Sequence, residues 1–148
     1  MQSEVFYMRT VLFVCTGNTC RSPMAEGIFN TLAQERDIPV RAKSCGIAAV
    51  NGEPVTENAV RAAAEYGADI SGHTACQITQ ELFDEAEAVY TMTRSHADML
   101  RGIIGGDKIH TLSGRDISDP FGGDYDIYKA AAKEIYFSVN ALLDEFSR

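Results

Sequence analysis

The stretch Val14-Cys15-Thr16-Gly17-Asn18-Thr19-Cys20-Arg21-Ser22-Pro23 carries the residue types that nucleophilic chemistry on an anion requires. The reactive form of cysteine is the thiolate, and an ordinary thiol with a pKa of ~8.5 is mostly protonated at neutral pH. Converging backbone N–H groups, a helix N-terminus and a guanidinium each favour negative charge, on sulfur or on a bound phosphate. Arg21 offers a planar fork that matches two phosphoryl oxygens, and Ser22 can donate to the Cys15 sulfur and make it a better leaving group. Such a loop moves a phosphoryl group by positioning and charge stabilisation, without a metal ion. The bare Cys-x5-Arg spacing is weak, arising by chance in roughly one such chain in four. Its setting carries the argument.

That setting is a strand followed by a helix. Thr10 to Cys15 reads as a buried strand, with Val11, Leu12, Phe13 and Val14 in unbroken succession. Gly17-Asn18 breaks it. Ser22-Pro23 opens a helix, serine as N-cap and proline in the first turn, with Ala25, Ile28, Phe29 and Leu32 as its apolar stripe. Further strands are expected at Val40 to Cys45, Ala88 to Met92 and Lys108 to Leu112. Between them lie a helix from Thr56 through Val60, Ala63 and Ala64 to Gly67, a short one from Thr79 with Leu82, Phe83 and Ala86, and one with Ala97, Leu100 and Ile104 that ends at Gly105-Gly106. After the polar loop Ser113 to Tyr125, a last helix shows Ile127, Ala131, Ile135, Val139, Leu142 and Phe146 on one face. Alternating strands and helices predict an α/β fold, a doubly wound four-stranded parallel sheet with helices on both faces. Ligands of such sheets bind beyond the carboxyl ends of the strands, where the cysteine loop lies.

Composition bounds the remaining classes. The chain has 148 residues, enough for one domain, here 8–148 after a short extension 1–7. Lys and Arg total 13 against 21 Asp and Glu, a net charge of −8 that disfavours a nucleic-acid partner. No apolar run approaches the ~20 residues of a membrane span. Met1 to Tyr7 lacks the basic flank and apolar core of a secretory signal, and Met8 is a possible initiator. A cytoplasmic protein is expected, in which Cys15, Cys20, Cys45 and Cys76 serve packing or catalysis rather than a disulfide framework. His73, His96 and His110 are scattered and no Cys-x2-Cys occurs, so no metal site is expected.

Two-step transfer through a cysteine also calls for a proton donor. Ser118-Asp119-Pro120-Phe121-Gly122-Gly123 follows the fourth strand and supplies a carboxylic acid. A leaving group must be protonated as it departs, and the resulting carboxylate can then activate the water of a second step. In isolation Asp-Pro reads as an ordinary turn.

The segment CTGNTCRSPMAE, at the start of the domain, resembles that of the low-molecular-weight protein tyrosine phosphatases, including the bacterial protein arginine phosphatases. The resemblance runs from Met8 onward. It implies a phosphocysteine intermediate, no cofactor, phosphorylated proteins as substrates, and a monomer or weak dimer. By motif match Cys15 is the nucleophile, Arg21 the phosphate clamp and Asp119 the general acid. Thr16, Gly17, Asn18, Thr19, Cys20 and Ser22 form the phosphate loop, with Asn18 bracing it and Ser22 supporting the thiolate. His73 matches a family histidine that holds this loop, although Thr74 replaces the usual basic residue after it. The other cysteine-based tyrosine phosphatases put the acid ahead of the cysteine and a histidine directly before it, unlike Val14-Cys15 here.

Two positions speak to substrate. Tyrosine-directed relatives carry a branched aliphatic residue in place of Thr19 and an aromatic pair after Asp-Pro; Thr19, Asp119-Pro120-Phe121-Gly122 and Asp126-Ile127-Tyr128-Lys129 match the arginine phosphatases instead. A phosphoguanidinium is rich in N–H donors, which Thr19 and Asp119 can accept, and its planar face suits stacking on Phe121. Phosphoarginine is thus favoured, with phosphotyrosine as the alternative. An arsenate reductase would need a closely spaced downstream cysteine pair, and a phosphocysteine carrier would need neither Arg21 nor Asp119. Cys20 is either a small buried side chain at the helix start or, as the resemblance implies, a reversible disulfide partner of Cys15. Cys45 and Cys76 read as core residues, and Tyr125 and Tyr128, not being adjacent, receive no regulatory role.

Overall fold

A computed structural model describes residues 8–147, so the extension 1–7 and Arg148 lie outside the described residues. Those residues form strands β1 (Arg9–Cys15), β2 (Val40–Gly46), β3 (Ala88–Thr91) and β4 (Ile109–Thr111). The helices are α1 (Arg21–Glu35), α2 (Glu57–Ala64), α3 (Gln80–Glu85), α4 (Arg94–Ile103) and α5 (Tyr125–Phe146). The sheet is parallel throughout, in the order β2-β1-β3-β4.

β1 is continuous in apolar residues because both its faces are covered. Val11 and Phe13 point to the side packed by α1, α2 and α5, where Phe13 meets Phe29 edge to face at 5.5 Å. Leu12 and Val14 point to the other side, against Phe83 of α3 and Ala97 and Leu100 of α4. Each fully buried side chain of this size stabilises the fold by about 1.5–3 kcal/mol, so the central strand is anchored from both faces. Its carboxyl end is correspondingly fixed. The chain leaves β1 for β2 on one side, and β3 pairs on the other, which opens a crevice beyond Cys15.

Two local expectations are corrected. The N-cap of α1 is Cys20, with no side-chain cap, and Ser22 lies inside the helix. Its hydroxyl is held by Cys15 and Asn18 instead, so it serves the loop rather than the helix end. Ile127 is 47% exposed, and the first turn of α5 is anchored by Tyr128, which is buried. The predicted stripe beyond it holds, with Ala131, Ile135, Val139 and Leu142 all buried. The glycine ends are also borne out. Gly67, Gly105 and Gly106 all adopt positive φ after their helices.

Candidate active site

The loop from Thr16 to Cys20 is held in place by its neighbours' backbones. Ile47 N–H donates to the Cys15 carbonyl at 3.0 Å, Ala48 N–H to that of Thr16 at 3.0 Å, and Thr56 N–H to that of Thr19 at 3.0 Å. Asn18 sits in the left-handed region at φ 59°, an arrangement that asparagine tolerates and that must be stabilised by its surroundings. Its side chain supplies that stabilisation. The amide nitrogen donates to Ser22 Oγ at 2.8 Å and Ser44 Oγ at 3.0 Å. The amide oxygen accepts from Cys76 N–H at 2.9 Å and lies 3.1 Å from His73 Nε2. Ser44 in turn donates to Glu26 at 2.6 Å, and Glu26 lies 4.0 Å from His73 Nδ1. Asn18, Ser44, Glu26 and His73 thereby close a ring beneath the loop.

Cys15 ends β1 with its Sγ 2.8 Å from Ser22 Oγ and is 3% exposed. Burial pushes its thiol up, while the Ser22 hydroxyl and N–H, the Arg21 guanidinium and the Asn18 N–H pull it down. These groups act in the expected direction, and burial opposes them as the larger effect. Arg21, also buried, donates through Nη1 to the Ile117 carbonyl at 2.9 Å. Its Nη2 reaches Asp119 Oδ2 at 3.6 Å. Asp119 itself is open to solvent, and its Oδ1 accepts from Phe121 N–H at 3.1 Å across a turn. Phe121 stands exposed at the rim.

These groups share one cleft of about 220 Å³, lined by Cys15 through Arg21 together with Glu53, Asp119 and Phe121. Larger hollows of about 370 Å³ beside Pro39 and about 540 Å³ beside Tyr90 and Phe137 contain no comparable constellation. Every residue expected at the site lines this cleft except Ser22, which lies under Cys15. Cys20 lines it too, with Sγ 3.4 Å from Tyr128 Oη and 3.5 Å from Thr56 Oγ1. All four cysteines are unpaired.

The pattern described as "Low molecular weight phosphotyrosine protein phosphatase" matches residues 10–148. The chain belongs to that family. A protein-arginine-phosphatase of Bacillus subtilis is 38% identical over 133 residues, covering 84% of this chain and 88% of the relative. A low molecular weight protein tyrosine phosphatase from T. tengcongensis superposes with a TM-score of 0.89 at 39% identity, over 93% of this chain and 99% of that one. A YwlE arginine phosphatase, a cysteine-to-serine mutant with a phosphorylated active-site serine, superposes with a TM-score of 0.89 at 35% identity, over 94% and 96%.

Within this low-molecular-weight phosphatase framework, the structure adds residues that the sequence reading passed over. Gly46, at the end of β2, admits no side chain because a Cβ would meet the Thr16 carbonyl oxygen at 2.5 Å. Ser44 and Glu26 close the ring described above. Glu53 enters the cleft from a loop strapped to the segment around Ala75, whose N–H donates to the Glu53 carbonyl at 2.8 Å. His96, in sequence only one of three scattered histidines, lies 2.8 Å from Thr16 Oγ1. Glu26 closes the segment CTGNTCRSPMAE itself, but Ser44, Gly46, Glu53 and His96 had no local motif and are distant from the loop in sequence. Of those four, Gly46, a glycine closing a strand, carried a signal that close backbone approach could explain.

Proposed function

We propose that the chain hydrolyses phosphorylated protein side chains, with phosphoarginine as the substrate class and Cys15 as the nucleophile. The observation that carries this reading is the convergence of Cys15 Sγ, the Arg21 guanidinium and the Asp119 carboxyl on one cleft. The Cys15 thiolate attacks phosphorus as the bond to the substrate nitrogen breaks, and Asp119 delivers a proton to that nitrogen. Asp119 then accepts a proton from water as the water attacks the phosphocysteine. The P–S bond breaks, Ser22 donates to the departing sulfur, and inorganic phosphate leaves. Arg21, pre-aimed by the Ile117 carbonyl, holds two phosphoryl oxygens while loop N–H groups hold the others.

Phosphoarginine is favoured over phosphotyrosine by Thr19, a hydroxyl acceptor in the wall, and by Phe121, a single exposed ring at the rim. The Bacillus subtilis relative named a protein-arginine-phosphatase supports it, as does the YwlE structure named an arginine phosphatase, whose phosphorylated active-site serine supports the covalent intermediate. The tyrosine-phosphatase name of the T. tengcongensis structure keeps phosphotyrosine as the second reading. The site is complete within one chain, which supports action as a monomer or weak dimer, and four free thiols suit the reducing cytoplasm.

The test is phosphate release from matched phosphoarginine and phosphotyrosine peptides under reducing conditions, with Cys15→Ser as the control. Release that vanishes in the control and favours phosphoarginine is expected. A phosphotyrosine preference would keep the mechanism and overturn the substrate assignment. Release from neither peptide would overturn both.

A further inference from the structure

The imidazole of His96, in the first turn of α4, is buried beside the cleft with Nε2 2.8 Å from Thr16 Oγ1. Its other nitrogen, Nδ1, is buried with no hydrogen-bond partner. Burial, aided by the charge of Arg21, pushes the His96 pKa down to about 4, although Asp119 and Asp116 pull the other way. The ring is therefore neutral at pH 7 and carries one N–H and one bare nitrogen. A proton on Nδ1 would strand a buried donor. A proton on Nε2 leaves only a lone pair unused, and orphaned buried N–H groups are the rarer and costlier case. The Nε2–H tautomer follows, with His96 donating to Thr16 Oγ1.

This assignment fixes what Thr16 can do. Its oxygen accepts from His96, so its own proton remains to be given away. The Thr16 side chain is exposed and lines the cleft next to Cys15. Its main chain is immobilised, since the carbonyl accepts from Ala48 N–H at 3.0 Å. The His96 main chain is equally fixed, because its backbone N–H donates to Thr93 Oγ1 at 3.0 Å. The adjacent Arg94 N–H donates to Asp116 at 2.8 Å, which ties the same helix end to the loop carrying Asp119.

We propose that the Thr16 hydroxyl is a hydrogen-bond donor to the phosphoryl group in this cleft, and that His96 is the positioning residue that holds it in the donating orientation. The inference deepens the phosphatase reading above and rests on it. A preorganised neutral donor gains strength as charge develops on the phosphoryl oxygens, so its effect falls on the transition state more than on the ground state.

The first experiment is the His96 ring tautomer of the ¹⁵N-labelled full chain at pH 7, read by long-range ¹H–¹⁵N correlation. An Nε2–H ring is expected; an Nδ1–H ring overturns the proposal. The second is kinetics on the same peptides, together with competition by inorganic phosphate. Thr16→Val should lower kcat/KM about 10- to 100-fold, mostly through kcat, while Thr16→Ser restores most of the activity. His96→Leu should cost about tenfold, His96→Gln should recover much of that, and adding His96→Leu to Thr16→Val should cost nothing more. If His96→Leu fails to fold, Thr16→Val on its exposed side chain and the tautomer measurement decide the matter. An active wild type insensitive to Thr16→Val overturns this inference alone. A wild type inactive on every peptide overturns the phosphatase reading with it.

Discussion

Gly46 and Thr16 approach so closely that a Cβ on Gly46 would stand 2.5 Å from the Thr16 carbonyl oxygen. The end of β2 therefore presses on the phosphate loop backbone with no side chain between them, and Asn18 N lies 3.2 Å from the same point. Gly46→Ala should force the loop outward, because the obstacle is backbone rather than a flexible side-chain tip. The expected cost is about 1–3 kcal/mol of stability, typical of overpacking, with a fall of at least about tenfold in kcat/KM from misplaced amides. Urea denaturation and steady-state kinetics on the same sample check it. An unchanged midpoint with unchanged activity would show that the loop yields freely.

The Ser22 hydroxyl lies 2.8 Å from the Cys15 sulfur, and it draws the thiol pKa down against the upward push of burial. Ser22→Ala removes that contribution and should move the thiol further up. The pH profile for iodoacetamide modification of Cys15, followed by mass spectrometry of its peptide, should shift to higher pH. A profile that stays in place would assign the thiolate's stabilisation to Arg21 and the backbone alone.

Asp119→Asn keeps the shape of the turn and removes the transferable proton. kcat should fall about 10²- to 10⁴-fold on phosphoarginine or phosphotyrosine peptides. On p-nitrophenyl phosphate, whose leaving group needs little protonation, the loss should be smaller. Equal losses on both substrates would argue that Asp119 acts by orienting Arg21, from which it lies 3.6 Å, rather than as the acid.

Thr19 is a buried hydroxyl in the cleft wall. Thr19→Ile replaces an acceptor with an apolar branch and should shift preference toward phosphotyrosine. The ratio of kcat/KM values on the two matched peptides reads this directly, and an unchanged ratio would remove Thr19 from the specificity argument.

His96 has a folded pKa of about 4 against an ordinary 6.5. Between these values the unfolded chain binds a proton that the folded one excludes, so stability rises with pH through this window. It is fully present above about pH 6.5 and lost as pH falls toward 4, with up to about 3 kcal/mol at stake. His96→Gln should flatten that part of the stability curve relative to wild type. Parallel curves for the two proteins would place the acid sensitivity in other groups.

Much of this was legible in the sequence, for a local reason. A strand buried on both faces writes an unbroken apolar run, as Val11 to Val14 do, and helix periodicity marks Ala131 to Leu142. The loop from Cys15 to Ser22 is contiguous, so its chemistry could be read from types and spacing, whereas the need for an acid was assigned to Asp119 through the resemblance of its Asp-Pro motif. Periodicity places Ile127 on the buried face because it counts apolar residues, and it cannot see that Tyr128 is the side chain buried at the start of α5.

What the sequence could not supply was proximity between distant segments and its consequence for solvation. His96 is 80 positions from Thr16, and Ser44 is 26 from Asn18; only the parallel stacking of β2, β1 and β3 brings α4 and the end of β2 to the loop. The groups that favour a Cys15 thiolate were visible as residues and the strand read as buried, but that burial outweighs those groups was not visible. Hydrogen-bonding types are written along the chain, whereas desolvation and cross-strand contact depend on how much of the chain closes around a group. The sequence therefore determined the fold class and the identity of the reactive set, and the tertiary structure decided which nitrogen, oxygen and sulfur atoms face one another.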